Sequence, residues 1–169
     1  MSSTRVRESL ELRARVESGI AQGEELVAAH EVLKHAESGY LAMAGDGWPY
    51  LVPLCFAYDK NDIHFHCGGG LTASLLAADD RACFAVATTP QFVRGAAPWD
   101  DTVFYESVLA FGRVRLLDDD AAREAALRSI VAKYDAAAQG ESLRSTAFNA
   151  VLVYTLEVEA LTYRTRRAR

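Results

Sequence analysis

The sequence predicts an α+β fold, an antiparallel β-barrel with flanking helices. A glycine-aspartate turn, Gly45-Asp46-Gly47, stands between two apolar strand-like runs, the usual mark of a hairpin. Helical periodicity falls at the start, in the middle and near the end of the chain, without the βαβ rhythm of a parallel sheet. The run Trp48 to Tyr58 is apolar on both faces, as in a barrel wall that is also covered outside. With 169 residues, 50% of them hydrophobic and 24% charged, the chain suits one domain with a real core. We divide it into an N-terminal helical extension over 1–22 and a single barrel domain over 23–169.

Residues 5 to 37 read as helical, first Val6 to Val16 and then Glu24 to Ala36, with Gly19 and Gly23 between. Leu26, Val27, His30, Val32 and Leu33 give the second piece an apolar stripe. His30 and His35 read as half-buried or surface histidines without chemistry. Tyr40 to Ala44 and Trp48 to Tyr58 are the hairpin strands. In the second, Tyr50, Val52, Leu54, Phe56 and Tyr58 face one way, and Leu51, Pro53, Cys55 and Ala57 the other. Pro53 has no N–H to donate, which points to an edge, a bulge or a place where a ligand lies against the strand. Asp59 to Asp62 then turn the chain into a strand over Ile63 to Cys67.

A short helix is expected from Thr72 to Ala78 and a strand from Arg81 to Thr88, followed by a loop through Pro90, Gly95, Pro98 and Asp101. The strand Thr102 to Leu117 is long, and Gly112 marks a bulge that lets it curl. Asp118, Asp119 and Asp120 suit the positive N-terminus of a helix through Tyr134, in which Leu127, Ile130, Val131 and Tyr134 share a face. A further helix over Leu143 to Asn149 and a strand over Val151 to Tyr163 complete the chain.

The formal net charge of -5 leaves no basic footprint for nucleic acid, and the terminal run Arg164 to Arg169 reads as solvated. Met1 to Arg15 has no apolar signal core and no run approaches membrane-spanning length, so the expected location is cytoplasmic, with no membrane partner. Cys55, Cys67 and Cys83 are odd in number, form no CxxC pair and lie in apolar runs, which suggests buried reduced thiols.

The candidate site is Ile63 to Leu76. Ile63, Phe65 and Cys67 alternate with His64 and His66, so a strand puts the apolar side chains on one face and both imidazoles on the other. Gly68, Gly69 and Gly70 permit positive φ and close backbone approach, and Thr72 or Ser74 could cap the following helix, whose free N–H groups favour an anion. The segment lacks the lysine of a Walker motif and the spacing of a dinucleotide fingerprint. A His-x-His pair can chelate a metal, but no third ligand is evident, and we assign none.

Taken together, Gly39-Tyr40-Leu41-Ala42, Pro49-Tyr50-Leu51-Val52-Pro53-Leu54 with Phe56-Ala57-Tyr58, His64-Phe65-His66-Cys67 with its glycines, and Tyr105 to Val114 resemble the pyridoxamine 5'-phosphate oxidase-like, FMN-binding split-barrel superfamily. Within it they are most similar to the Nim-type group associated with nitroimidazole resistance. The fold this resemblance implies is an antiparallel split β-barrel with flanking helices. It implies a homodimer that holds FMN at the subunit interface, with the phosphate at Cys67, Gly68, Gly69, Gly70, Thr72 and Ser74 and the ring along Pro53, Leu54 and Cys55 near His66. His66 matches a histidine close to the flavin and is the candidate for substrate contact or proton delivery. The implied activity is an FMN-dependent oxidoreductase that passes electrons from a reduced nicotinamide to a small molecule, nitroaromatic or pyridoxamine-phosphate-like. Relatives carry arginine or lysine just after the turn, where this chain has Leu71, Thr72, Ala73 and Ser74. Either backbone N–H groups and the hydroxyls of Thr72 and Ser74 suffice, or a cation arrives from elsewhere, Arg81, Arg113 or the arginine-rich tail, or the site has weakened or lost FMN. The alternative is therefore a non-catalytic or divergent binder of another cofactor, the deazaflavin F420 or haem, with His64 or His66 as the haem ligand.

Overall fold

The structure is a computed structural model and describes residues 19–45, 47–135, 137 and 150–167. The helices expected over Val6 to Val16 and Leu143 to Asn149 lie outside the described residues. Helix α1 (Glu24–His35) precedes the hairpin β1 (Gly39–Gly45) and β2 (Trp48–Leu54). Then come β3 (Phe56–Asp59), β4 (Asp62–Cys67), α2 (Leu71–Ala78), β5 (Arg81–Ala87), β6 (Gln91–Val93), β7 (Thr102–Leu116), α3 (Asp120–Tyr134) and β8 (Leu152–Arg166). The strands form one antiparallel sheet in the order β2-β1-β5-β7-β8-β4-β3, with β6 added to β7. The fold is the α+β split barrel that the sequence predicts, with the sheet curled but not closed.

The expected single strand Trp48 to Tyr58 is two strands. Trp48–Leu54 pairs with β1, Phe56–Asp59 pairs with β4, and Cys55 is the break. Consecutive residues thus occupy the two ends of the strand order, and the barrel is split at that step. Pro53 sits in β2, an edge strand, where a missing N–H costs least. The region read as a loop contains β6, whose three residues pair with Thr102 to Phe104, and a 3-10 turn at Pro98–Asp100. Strand β8 runs to Arg166 rather than stopping at Tyr163, and its last residues, Arg164 to Arg166, are in the sheet yet exposed.

Local rules hold elsewhere. The register slips between Phe111 and Gly112, and a Cβ at Gly112 would run into the backbone of Glu157, so the bulge needs glycine there. Asp119 caps α3 by accepting the N–H of Ala122 at 2.8 Å. The core joins Phe56, Phe65, Phe84, Leu41, Ile63, Val108 and Leu156 to Ala29, Val32 and Leu33 of α1. His30 of α1 stacks on Tyr58 and hydrogen-bonds its hydroxyl. Helix α3 packs against β3, β4 and β8, and its buried Ala126 and Ile130 stand apart from that core, so it covers the outer face of those strands.

Candidate functional site

Alternation along β4 works as the sequence requires. Ile63 and Phe65 are fully buried, while His64 and His66 project from the opposite face. The two histidines then part company. His66 is exposed; His64 is half-buried on the side where α3 packs, and its Nδ1 is enclosed without a hydrogen-bond partner. Burial pushes the His64 pKa down, opposed by the Asp62 and Asp59 carboxylates. Among the described residues no group of three or more His, Cys, Asp or Glu converges as a metal site.

After Cys67 the chain turns at Gly68 to Gly70, with φ of 94° at Gly69 and 73° at Gly70. A Cβ on any of the three would meet nothing within 4 Å, so the turn borders open space, and it is the positive φ of Gly69 and Gly70 that favours glycine there. Helix α2 starts directly on it. Its N-cap is Gly70, with no side-chain cap and no acidic residue in the first turn. The expected caps therefore fail: Thr72 is 9% exposed, inside the first turn, and Ser74 turns back to donate to the Gly70 carbonyl at 3.2 Å. What faces outward at this helix start is backbone N–H, a weak anion cradle.

Register brings only the end of the second expected segment alongside. Phe56 pairs with Phe65, so Cys55, one residue earlier, follows on beside His66, while Pro53 and Leu54 leave for β1, where they pair with Tyr40 and Gly39. Pro53 and Cys55 are exposed and Leu54 is partly covered. The expectation of buried thiols fails at Cys55; Cys67 and Cys83 are half-covered, and burial raises Cys83 to about 11.

Two residues that the sequence did not single out for the site close the split. The Tyr134 hydroxyl accepts the Phe56 N–H at 3.1 Å and donates to the Glu37 carbonyl at 2.6 Å, which ties the end of α3 across the strand break. Lys133 beside it places its Nζ 3.5 Å from the Phe56 ring centroid with no hydrogen-bond partner. Burial lowers its pKa to about 8, against the opposing charge of Cys55. In sequence Lys133 is one more lysine on an amphipathic helix, and nothing there signals its position.

The cations considered as replacements are committed elsewhere. Arg81 donates to both oxygens of Asp79, at 2.9 and 2.6 Å, and that bond holds Asp79 at about 2. Arg113 pairs with Asp80 at 2.7 Å and Glu159 at 3.4 Å. The arginine tail ends β8, whereas Cys67 pairs with Leu152 at its start, so within one chain the two lie at opposite ends of that strand, about 45 Å apart along it. No described helix is long and apolar enough to cross a membrane.

Comparison with known proteins places this geometry. A family model described as pyridoxamine 5'-phosphate oxidase matches residues 26–165. No curated protein sequence matches. Among solved structures, a candidate 5-nitroimidazole antibiotic resistance protein from Bacteroides thetaiotaomicron is similar with a TM-score of 0.73 at 19% identity, over 85% of this chain and 84% of that one. An FAD and heme binding protein from Mycobacterium smegmatis gives a TM-score of 0.76 at 19% identity, over 89% and 74%. An FAD-binding protein from Mesorhizobium loti gives 0.62 at 23%, over 83% and 94%. At these identities the likeness is one of fold.

Proposed function

Because the chain belongs to the pyridoxamine 5'-phosphate oxidase family, we propose that it is a homodimeric flavoprotein, an FMN-dependent oxidoreductase that takes electrons from a reduced nicotinamide and passes them to a small nitroaromatic or pyridoxamine-phosphate-like molecule. The observation that carries this reading is the open glycine turn and uncapped start of α2 directly after the exposed His66, with the exposed Cys55 beside His66 in register. A bound flavin would supply the two-electron chemistry. The chain supplies the rest. Backbone N–H groups at Leu71 to Ala73 receive the phosphate, Pro53 and Cys55 offer a flat wall to a planar ring, and the exposed His66 imidazole holds or moves a proton at the edge of that wall.

The outer face of the sheet supports the dimer. Register aligns Pro53, Tyr40, Ala85 and Leu109 in one row across four strands, and Leu51, Ala42, Cys83 and Phe111 in the next. Tyr40, Leu51 and Leu109 are 46%, 57% and 40% exposed. An apolar face of this kind asks for cover, and a second copy laid face to face meets it symmetrically. A cytosolic setting agrees with unpaired thiols and a nicotinamide reductant.

The visible absorption spectrum of the purified protein, before and after addition of FMN and FAD, tests the reading. Flavin bands that stay with the protein on gel filtration are expected. A Soret band would replace the flavin with haem, His66 being the accessible ligand and His64 the covered one; a blank trace after reconstitution would overturn both.

A further inference from the structure

A cleft of about 310 Å³ lies where β5, β6, β7 and β8 run out, at the end of β8 remote from the glycine turn. Arg166, the last residue of β8, and Arg167, just past it, line one wall. Arg166 pairs in register with Tyr105 and Thr165 with Glu106, so Arg167 follows towards Phe104 and reaches the Glu106 side chain diagonally. The Glu106 carboxylate accepts from the Tyr163 hydroxyl and the Arg167 guanidinium, and these bonds hold its pKa low. Thr88, just past β5, fixes the backbone of Glu106, its Oγ1 accepting the Glu106 N–H at 2.9 Å. Arg166 has no ion pair among the described residues.

The lining therefore sets two guanidinium groups against one carboxylate, in a protein whose net charge is negative. The Thr89 hydroxyl and the Gln91 amide add donors, and Tyr105 presents an exposed ring at the rim. Guanidinium forks bind oxyanions in two-point fashion, and the volume is at the lower end of small-ligand sites. We infer that this cleft is a second ligand site, which takes the phosphate or carboxylate group of a small aromatic molecule on Arg166 and Arg167, with the ring against Tyr105. Glu106 orients Arg167 and competes with the ligand for it. None of this rests on the flavin reading, because no residue of Pro53 to Cys55 or His66 to Ser74 lines the cleft.

The test titrates the full chain with phenyl phosphate, benzoate and inorganic phosphate by calorimetry, with and without Arg166→Gln and Glu106→Gln. Saturable binding of phenyl phosphate or benzoate is expected, tighter than inorganic phosphate, and the tighter of the two names the anionic group. Arg166→Gln, at an exposed and unpaired position, should weaken it about tenfold or more while the melting temperature stays unchanged. Glu106→Gln should tighten it several-fold, since Arg167 is released; a purely structural Glu106 would produce no gain. Absence of saturation up to about 10 mM, or affinities that ignore both substitutions, would overturn the assignment.

Discussion

Lys133→Met should stabilise the protein at neutral pH. The wild-type ammonium is enclosed at the barrel split without an acceptor, and burial brings it from an ordinary value of about 10.4 down to about 8. At about 1.36 kcal/mol per unit that shift sets a ceiling of about 3 kcal/mol, and the part of the side chain still in contact with solvent reduces it to about 1–2 kcal/mol. Met is unbranched like lysine and keeps a favourable contact with the Phe56 ring through its sulfur, so the lost cation–π attraction is largely replaced. The expected rise in melting temperature is about 3–6 °C. Because the folded-state value lies below the unfolded one, the unfolded chain binds the extra proton between about pH 8 and 10.4. Wild-type stability therefore rises through that window, and the advantage of the variant fades over it. Chemical denaturation at pH 7 and at pH 10.5 reads both effects. A variant no more stable at pH 7, or a gain that persists unchanged at pH 10.5, refutes the burial penalty.

His66→Ala should cut flavin-dependent turnover about a hundredfold or more if proton transfer is its role, with the thermal melt unchanged because the side chain is exposed; steady-state kinetics beside a melting curve decide it. Leu109→Lys, at the β7 end of the exposed apolar rows, should give a monomer mass by light scattering, and a dimer that survives it would move the interface elsewhere. Gly70→Ala meets no atom, so its cost is backbone strain alone, about 1–3 kcal/mol at φ 73° and ψ -148°, read by denaturant titration.

How far the sequence carried depended on the range of the interaction. The β1–β2 hairpin, the bulge at Gly112 and the Asp119 cap each follow from a few neighbouring residues, and all three are in place. The break at Cys55 is not local. Trp48 to Tyr58 has the pattern of one strand, and it divides because its first half finds β1 and its second half finds β4. Strand β6 is three residues that β7 recruits, with no pattern long enough to read. In the site, alternation placed His66 outward, and Gly69 and Gly70 adopt the positive φ expected of them, while Gly68 does not. Thr72 was misread because α2 begins on Gly70, which carries Thr72 to a buried position in the first turn. Lys133 was invisible because its environment is assembled from β3 and the end of α3, far apart in the chain.

The missing cation after the turn leads to the last prediction. Arg81 and Arg113 are held by aspartates, the tail lies at the far end of β8, and Lys133 is enclosed over Phe56. Among the described residues of one chain, these four candidates leave a phosphate at Gly68 to Ala73 to backbone N–H groups, roughly half the strength of charge-assisted bonds. FMN should bind only modestly better than riboflavin to the wild-type chain. Leu71 is 56% exposed at the first position of α2, whereas Thr72 is buried, so Leu71→Arg is the substitution that can bring a guanidinium to the phosphate without disturbing the core. It should tighten FMN about tenfold, worth about 1.4 kcal/mol, and leave riboflavin unchanged, since only the phosphate differs. Fluorescence titration of the apo-protein with both ligands measures it. A gain shared equally by riboflavin would assign the effect to the ring, and no gain for either would mean that the turn faces something other than a phosphate.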